Sequence, residues 1–152
     1  MTEAFAAGYA NPASQHRAGQ IARRQLERYR SDVIGFLGGK NSGMDADSLV
    51  FTSGGTESDN LAMFGLAATG RQRLIDSERM QPDQAARILI SSIEHPAVFA
   101  AAEQLARVGF DVHRIPVNDQ GICRIDALKE LLQQPTALVS LMLANNETGV
   151  ME

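Results

Sequence analysis

The sequence predicts an α/β fold, three layers deep, with helices on both faces of a mostly parallel sheet. Three observations carry that prediction. Short apolar runs alternate with segments of helical period along most of the chain. Runs such as Ile88-Leu89-Ile90 and 137–143 are apolar on both faces, as strands covered from two sides are. Polar clusters follow three of the runs, and ligands in such sheets collect beyond the carboxyl ends of the strands.

The elements follow in order. Asn11-Pro12-Ala13-Ser14 reads as a turn with a capping serine. A helix is expected over 15–37, burying Ile21, Leu26, Val33, Ile34 and Leu37, until the Gly38-Gly39 pair breaks it. A strand is expected at 48–52. Ser53-Gly54-Gly55-Thr56 then turns into a helix that runs through 61–68, with Ser53 or Thr56 as its cap. The polar stretch 70–87, with Pro82, reads as an exposed insertion. A buried strand is expected at 88–91, a helix at 97–107 with Gly109 as its stop, and a strand at 110–117. Asp119-Gln120-Gly121 is a turn, 125–132 a helix and 137–143 a strand. Asn145-Asn146-Glu147-Thr148-Gly149 forms a polar loop at its end.

Bulk properties exclude several classes. A length of 152 residues, with 44% hydrophobic and 21% charged, suits a soluble domain with a real core. Net charge is −4, which leaves no electrostatic footprint for nucleic acid. No apolar run approaches the ~18 residues of a membrane span. Met1-Thr2-Glu3-Ala4-Phe5 lacks the basic and apolar regions of a secretory signal, so the cytoplasm is the expected compartment. Cys123 stands alone, excludes an internal disulfide and is read as structural.

Three constellations sit at strand ends. The turn before the second helix offers backbone N–H groups and the positive end of a helix dipole, and Gly54 and Gly55 let an anion approach. The same residues also serve as an ordinary tight connection. His95, fixed by Pro96 at a strand end, is either a capping histidine or a flat ring facing a flat ligand. Asn145 and Asn146 either build a turn or send a carboxamide into a site. His16 and His113 read as surface or packing residues. No metal-ligand spacing surrounds His95.

Four segments, in family order, resemble the cysteine desulfurases among class-V, fold-type I pyridoxal-phosphate enzymes. They are Asn11-Pro12-Ala13-Ser14-Gln15-His16, the stretch 51–60, Glu94-His95-Pro96-Ala97-Val98, and Asn145-Asn146-Glu147-Thr148-Gly149-Val150. The resemblance implies that the chain is the N-terminal half of a pyridoxal 5′-phosphate-binding large domain. It implies that Gly55 and Thr56 hold the cofactor phosphate. His95 would stack on the pyridine ring and move protons, and Asn146 would bond the phenolic oxygen. The implied reaction takes L-cysteine to L-alanine and passes sulfur, as a persulfide, to an acceptor or iron–sulfur scaffold protein. Relatives of this kind are homodimers. The family's pyridine-pairing aspartate, cofactor lysine and persulfide cysteine have no counterpart here, since Lys40, Lys129 and Cys123 lie in other contexts. The expectation is therefore a fragment, inactive alone, poorly ordered at 48–56 where a strand would lack neighbours. Two rivals stand beside it: another class-V enzyme, such as a selenocysteine lyase or an aminotransferase, and a non-catalytic remnant.

Overall fold

The computed structural model describes residues 10–152. The chain divides into two compact units, Met1–Phe51 and Thr52–Glu152.

In the first unit, the Asn11 turn closes through Ser14 N–H to the Asn11 carbonyl at 3.0 Å. Helix α1 spans Arg17–Phe36. Its cap is His16, whose Nδ1 accepts from Gly19 N–H at 3.1 Å, so the serine expected in that role is displaced. The apolar stripe expected to be buried is largely open. Ile21, Val33 and Leu37 are exposed, and Leu26 and Ile34 only half-buried. No strand forms at 48–52. A strand is completed by a neighbour's hydrogen bonds, and no described extended segment of this unit offers them. Val50 and Phe51 stay exposed, with the Arg30 guanidinium over the Phe51 ring at 5.2 Å.

The second unit holds the sheet. Its elements are α2 (Gly55–Asp76), β1 (Arg87–Ser91), α3 (Pro96–Arg107), β2 (Asp111–Ile115), α4 (Ile125–Leu131) and β3 (Thr136–Ser140). The strands lie in the order β2-β1-β3, with both pairings parallel. Helices α2 and α3 pack over one face, around Met63, Ala67, Ile88, Ile90, Val98, Ala101, Ala102 and Leu105. On the opposite face Leu89, Ile115 and Cys123 are buried, with Leu128 and Leu131 of α4 packed against them. This is the three-layer α/β arrangement the alternating pattern predicts. The opposite-face placement of α3 and α4 follows from one crossover hand: β1 to β2 steps one way, β2 to β3 steps back past β1.

The stretch 70–87 is not a uniform exposed insertion. Its first residues are the last turns of α2, and Leu74, Met80 and Ala86 are buried in a cluster of their own. Polar composition hid these widely spaced apolar anchors. Strands β2 and β3 are shorter than expected, and β3 is half-buried where a fully covered strand was expected. Its Val139 pairs with Leu89 on the α4 face, yet stays 38% exposed because α4 packs on β2.

Gly109 ends α3 as expected, at φ +98°, the left-handed position that follows a helix end. Gly70 is fixed by proximity instead. A methyl there would sit 2.1 Å from the Ala137 carbonyl oxygen, where β3 bulges against β1. Only a residue without Cβ lets α2 lie this close to the strand.

Candidate functional site

Strand β1 leads on to β2 on one side and lies beside β3 on the other. The carboxyl ends of β1 and β3 therefore flank the point where successive connections diverge. Crevices of this kind take ligands in open α/β sheets. Three segments border this crevice, the first of them through Asp59.

The first is the start of α2. Gly54 is its N-cap in extended geometry, and no side chain caps the helix. The first intrahelical bond runs from Ser58 N–H to the Gly54 carbonyl at 3.2 Å, so the amides of Gly55, Thr56 and Glu57 precede the ladder. Neither Ser53 nor Thr56 fills the capping role expected of it. Glu57 instead reaches back past the helix start. Its Oε2 accepts from Ser53 N–H at 2.7 Å and Ser53 Oγ at 2.6 Å. Those Ser53 bonds, first the hydroxyl and then the amide, hold the Glu57 carboxyl below the usual glutamate range. Thr52 Oγ1 and Ser58 Oγ lie 2.7 Å apart and lace the turn from the other side. A Cβ at Gly54 or Gly55 would meet nothing within 4 Å. The turn is thus braced from behind and open in front, with unspent donors and a helix dipole aimed outward.

The second segment is the exit of β1. His95 is the N-cap of α3, its Nδ1 accepting from Ala97 N–H at 3.1 Å, with Pro96 at the first helical position. The capping reading of His95 therefore holds. It spends only one ring nitrogen, and the side chain is otherwise exposed. Glu94, its neighbour, is 7% exposed. Its Oε1 accepts from Ser140 Oγ, at the end of β3, at 2.9 Å. Burial pushes its carboxyl above the usual range. The Ser140 and His95 N–H bonds oppose that shift, and the charges of Asp59 and Glu152 add to it.

The third segment is the loop after β3. Asn145 is fully engaged: Nδ2 donates to the Ile93 carbonyl at 3.0 Å, and Oδ1 accepts from Glu147 N–H and Thr148 N–H at 3.0 and 2.9 Å. The loop closes as a narrow hairpin through Asn145 N–H to the Val150 carbonyl at 2.8 Å. Asn146 is exposed, with no side-chain hydrogen bond among the described residues. The Asn145 and Ser140 bonds join the β3 exit to the β1 exit, and Asp59 of α2 lies close enough to act on Glu94. Sequence reasoning placed Glu94 beside His95 at the strand end but gave it no role, and it missed Ser140 and Asp59 as its partners. A carboxylate three residues beyond the buried run of β1 is the signal that would have given Glu94 one.

Cys123 is buried beneath β1, donates to Ser91 Oγ at 3.3 Å, and has its thiol pushed up by burial, consistent with a structural role. His113 bonds Asp111 at 2.8 Å, on the far side of the sheet's length from the strand exits. Among the described residues no group of histidine, cysteine and carboxylate side chains could hold a metal ion. No described helix is long and apolar enough to cross a membrane.

Helices on both faces of a parallel sheet, with polar segments at its strand exits, define the class as a three-layer α/β domain. The comparisons narrow it. The aminotransferase class-V family profile matches residues 1–152, and the chain belongs to that family. It is 38% identical over 157 residues to a cysteine desulfurase of Frankia sp., covering 98% of this chain and 34% of that protein. It is 40% identical over 151 residues to one from Cereibacter sphaeroides, covering 98% and 34%. Among solved structures, a NifS-like protein matches with TM-score 0.76 at 32% identity, over 94% of this chain and 35% of its own. DndA from Streptomyces lividans matches with TM-score 0.74 at 36% identity, over 99% and 38%. The chain spans about a third of the length of the curated relatives it matches.

Proposed function

We propose that residues 1–152 form the N-terminal part of the large domain of a pyridoxal 5′-phosphate-dependent cysteine desulfurase. The open, uncapped start of α2 at the β1–β3 crevice carries the reading. Those residues fit the cofactor's phosphate: free amides, a helix dipole, and space in front of Gly54 and Gly55. When bound, the cofactor supplies an electron sink for substrate bond cleavage.

This chain's own residues would do the following. Gly55 and Thr56 bind the phosphate through their amides and the threonine hydroxyl. His95, held by its Nδ1 cap, keeps Nε2 for the ring side and for holding or moving a proton. Asn146 offers its carboxamide to the phenolic oxygen. Lys129 lies in the last turn of α4, and the segments at the crevice supply a non-covalent grip. The substrate is L-cysteine and the product L-alanine, with sulfur passed to an acceptor or iron–sulfur scaffold protein by a cytoplasmic homodimer. The relatives named cysteine desulfurase support these assignments.

The test is binding of pyridoxal 5′-phosphate by the full-length protein, followed by absorbance, in wild type and in a Thr56→Val, Asn146→Ala double variant. The double variant should bind at least tenfold more weakly, since one charge-assisted hydrogen bond is worth about 1.5–3 kcal/mol. Equal affinity would overturn the site. Release of alanine from cysteine by the wild type tests the reaction.

A further inference from the structure

We propose that Glu94 is a positioning residue for this site: its buried carboxyl ties the His95 turn to the end of β3, and its protonation governs how His95 is presented. The geometry comes first. The carboxyl is 7% exposed, and Ser140 Oγ donates to it at 2.9 Å across the two strand exits. The backbone N–H of His95, the next residue, lies close enough to the carboxyl to lower its pKa, so the group bonded to β3 also acts on the residue carrying the imidazole. One residue earlier, the Ile93 carbonyl takes the Asn145 amide at 3.0 Å. The turn 93–95 is thus bolted to both the end of β3 and the loop that carries Asn146.

The surroundings give this carboxyl a second property. The groups that face it are Ser140 from β3, the His95 amide from α3, Asp59 from α2, Glu152 from the terminal hairpin and Cys123 from the loop before α4. None is basic, and no ion pair among the described residues includes it. A buried carboxylate beside two others holds its proton to higher pH. Ionising it places a third negative charge among Asp59 and Glu152 and strengthens its pull on the Ser140 and His95 donors. A glutamine would make the same hydrogen bonds and carry no such response. The inference depends on the cofactor reading only for what His95 faces; the coupling itself lies within the chain.

The experiment follows the His95 ring proton signals by NMR against pH in the full-length protein, with Glu94→Gln and Glu94→Ala alongside. Besides the inflection of the imidazole itself, wild type should show a second one above the ordinary carboxylate range that is lost in Glu94→Gln. Stability should also fall as pH rises from the ordinary glutamate value, about 4.3, through the raised one, because the folded state alone holds the proton there. Glu94→Gln should flatten that fall while retaining the fold that Glu94→Ala weakens. A second inflection that survives in Glu94→Gln overturns the proposal, as does a wild type with the imidazole's inflection alone. Pyridoxal 5′-phosphate binding is measured separately on Thr56→Val. Loss of the cofactor reading would leave the His95 inflection standing, and the reverse, so each fails on its own.

Discussion

Gly70→Ala probes how the sheet sets the phosphate turn. Gly70 lies in α2, fifteen residues beyond Gly55, about 22 Å along the helix axis at ~1.5 Å per residue. The added methyl would sit 2.1 Å from the Ala137 oxygen, 2.8 Å from its carbonyl carbon and 3.0 Å from its Cα. A relaxed C···O contact needs about 3.3 Å, so the helix and strand must part by roughly 1.2 Å. All three obstacles are backbone atoms, which no rotamer change relieves. Overpacking of this kind costs about 1–3 kcal/mol. For a chain of this size that lowers Tm by about 2–12 °C. Gly65→Ala is the matched control. It lies in the same helix, and its methyl would meet nothing within 4 Å, so helix propensity should stabilise by up to ~1 kcal/mol. Urea unfolding followed by circular dichroism, with amide exchange of β3, reads both. Phosphate affinity should drop in Gly70→Ala alone, because α2 pivots as a rod on that contact. If the two variants shift stability in the same direction, the close approach is not what seats α2.

Three further outcomes follow from the structure. Ile88→Ala empties a fully buried position between α2 and α3 and should cost about 2–5 kcal/mol in urea unfolding. Asp111→Asn tests the ion cluster at the amino-terminal end of the strands. Burial opposes its charge, but hydrogen bonds from His113 and Arg87, with their positive charges, outweigh it and lower the carboxyl's pKa. A depressed carboxyl stabilises the fold above the ordinary aspartate value, about 3.9, and that contribution is lost as pH falls through the lower folded value. The variant's stability curve should therefore flatten below about pH 4; a curve superposable on wild type would refute the assignment. His95→Asn keeps a capping side chain at α3 and removes the ring. It should hold stability within about 0.5 kcal/mol, where His95→Ala loses ~1 kcal/mol, yet both should lose pyridoxal 5′-phosphate affinity. Intact affinity in His95→Asn would mean the imidazole serves the helix alone.

Much of this was legible in the sequence. The runs at Ile88-Leu89-Ile90 and 137–143 place two strands because each is short, apolar and bounded by turn residues, although β3 ends at Ser140 and is only half covered. Pro96 places His95 at a strand exit because proline bars helix before it and permits helix after it. What stayed hidden depends on partners. The 48–52 run has strand composition, but a strand exists only against a neighbour. The α1 stripe has helical period, but period says which residues share a face, not what covers them. Gly70 and Glu94 were given no role for the same reason. Each is defined by one contact with β3, to Ala137 and to Ser140, across more than forty residues of sequence.

Each of the three segments divides its work between neighbours. Glu57 spends its carboxylate on Ser53, outside the helix, which leaves the amides of Gly55 and Thr56 unspent. Glu94 takes the structural bond to Ser140, and His95 commits one nitrogen to Ala97 and keeps the other. Asn145 saturates both ends of its carboxamide in holding the loop, and Asn146 is left with a free one. A crevice whose backbone is fixed by one residue of each pair needs little reorganisation when the other meets a ligand. Lost ordering entropy is among the largest costs of binding. On the proposed reading, the helix start and the two strand exits each carry a brace beside the group it leaves free.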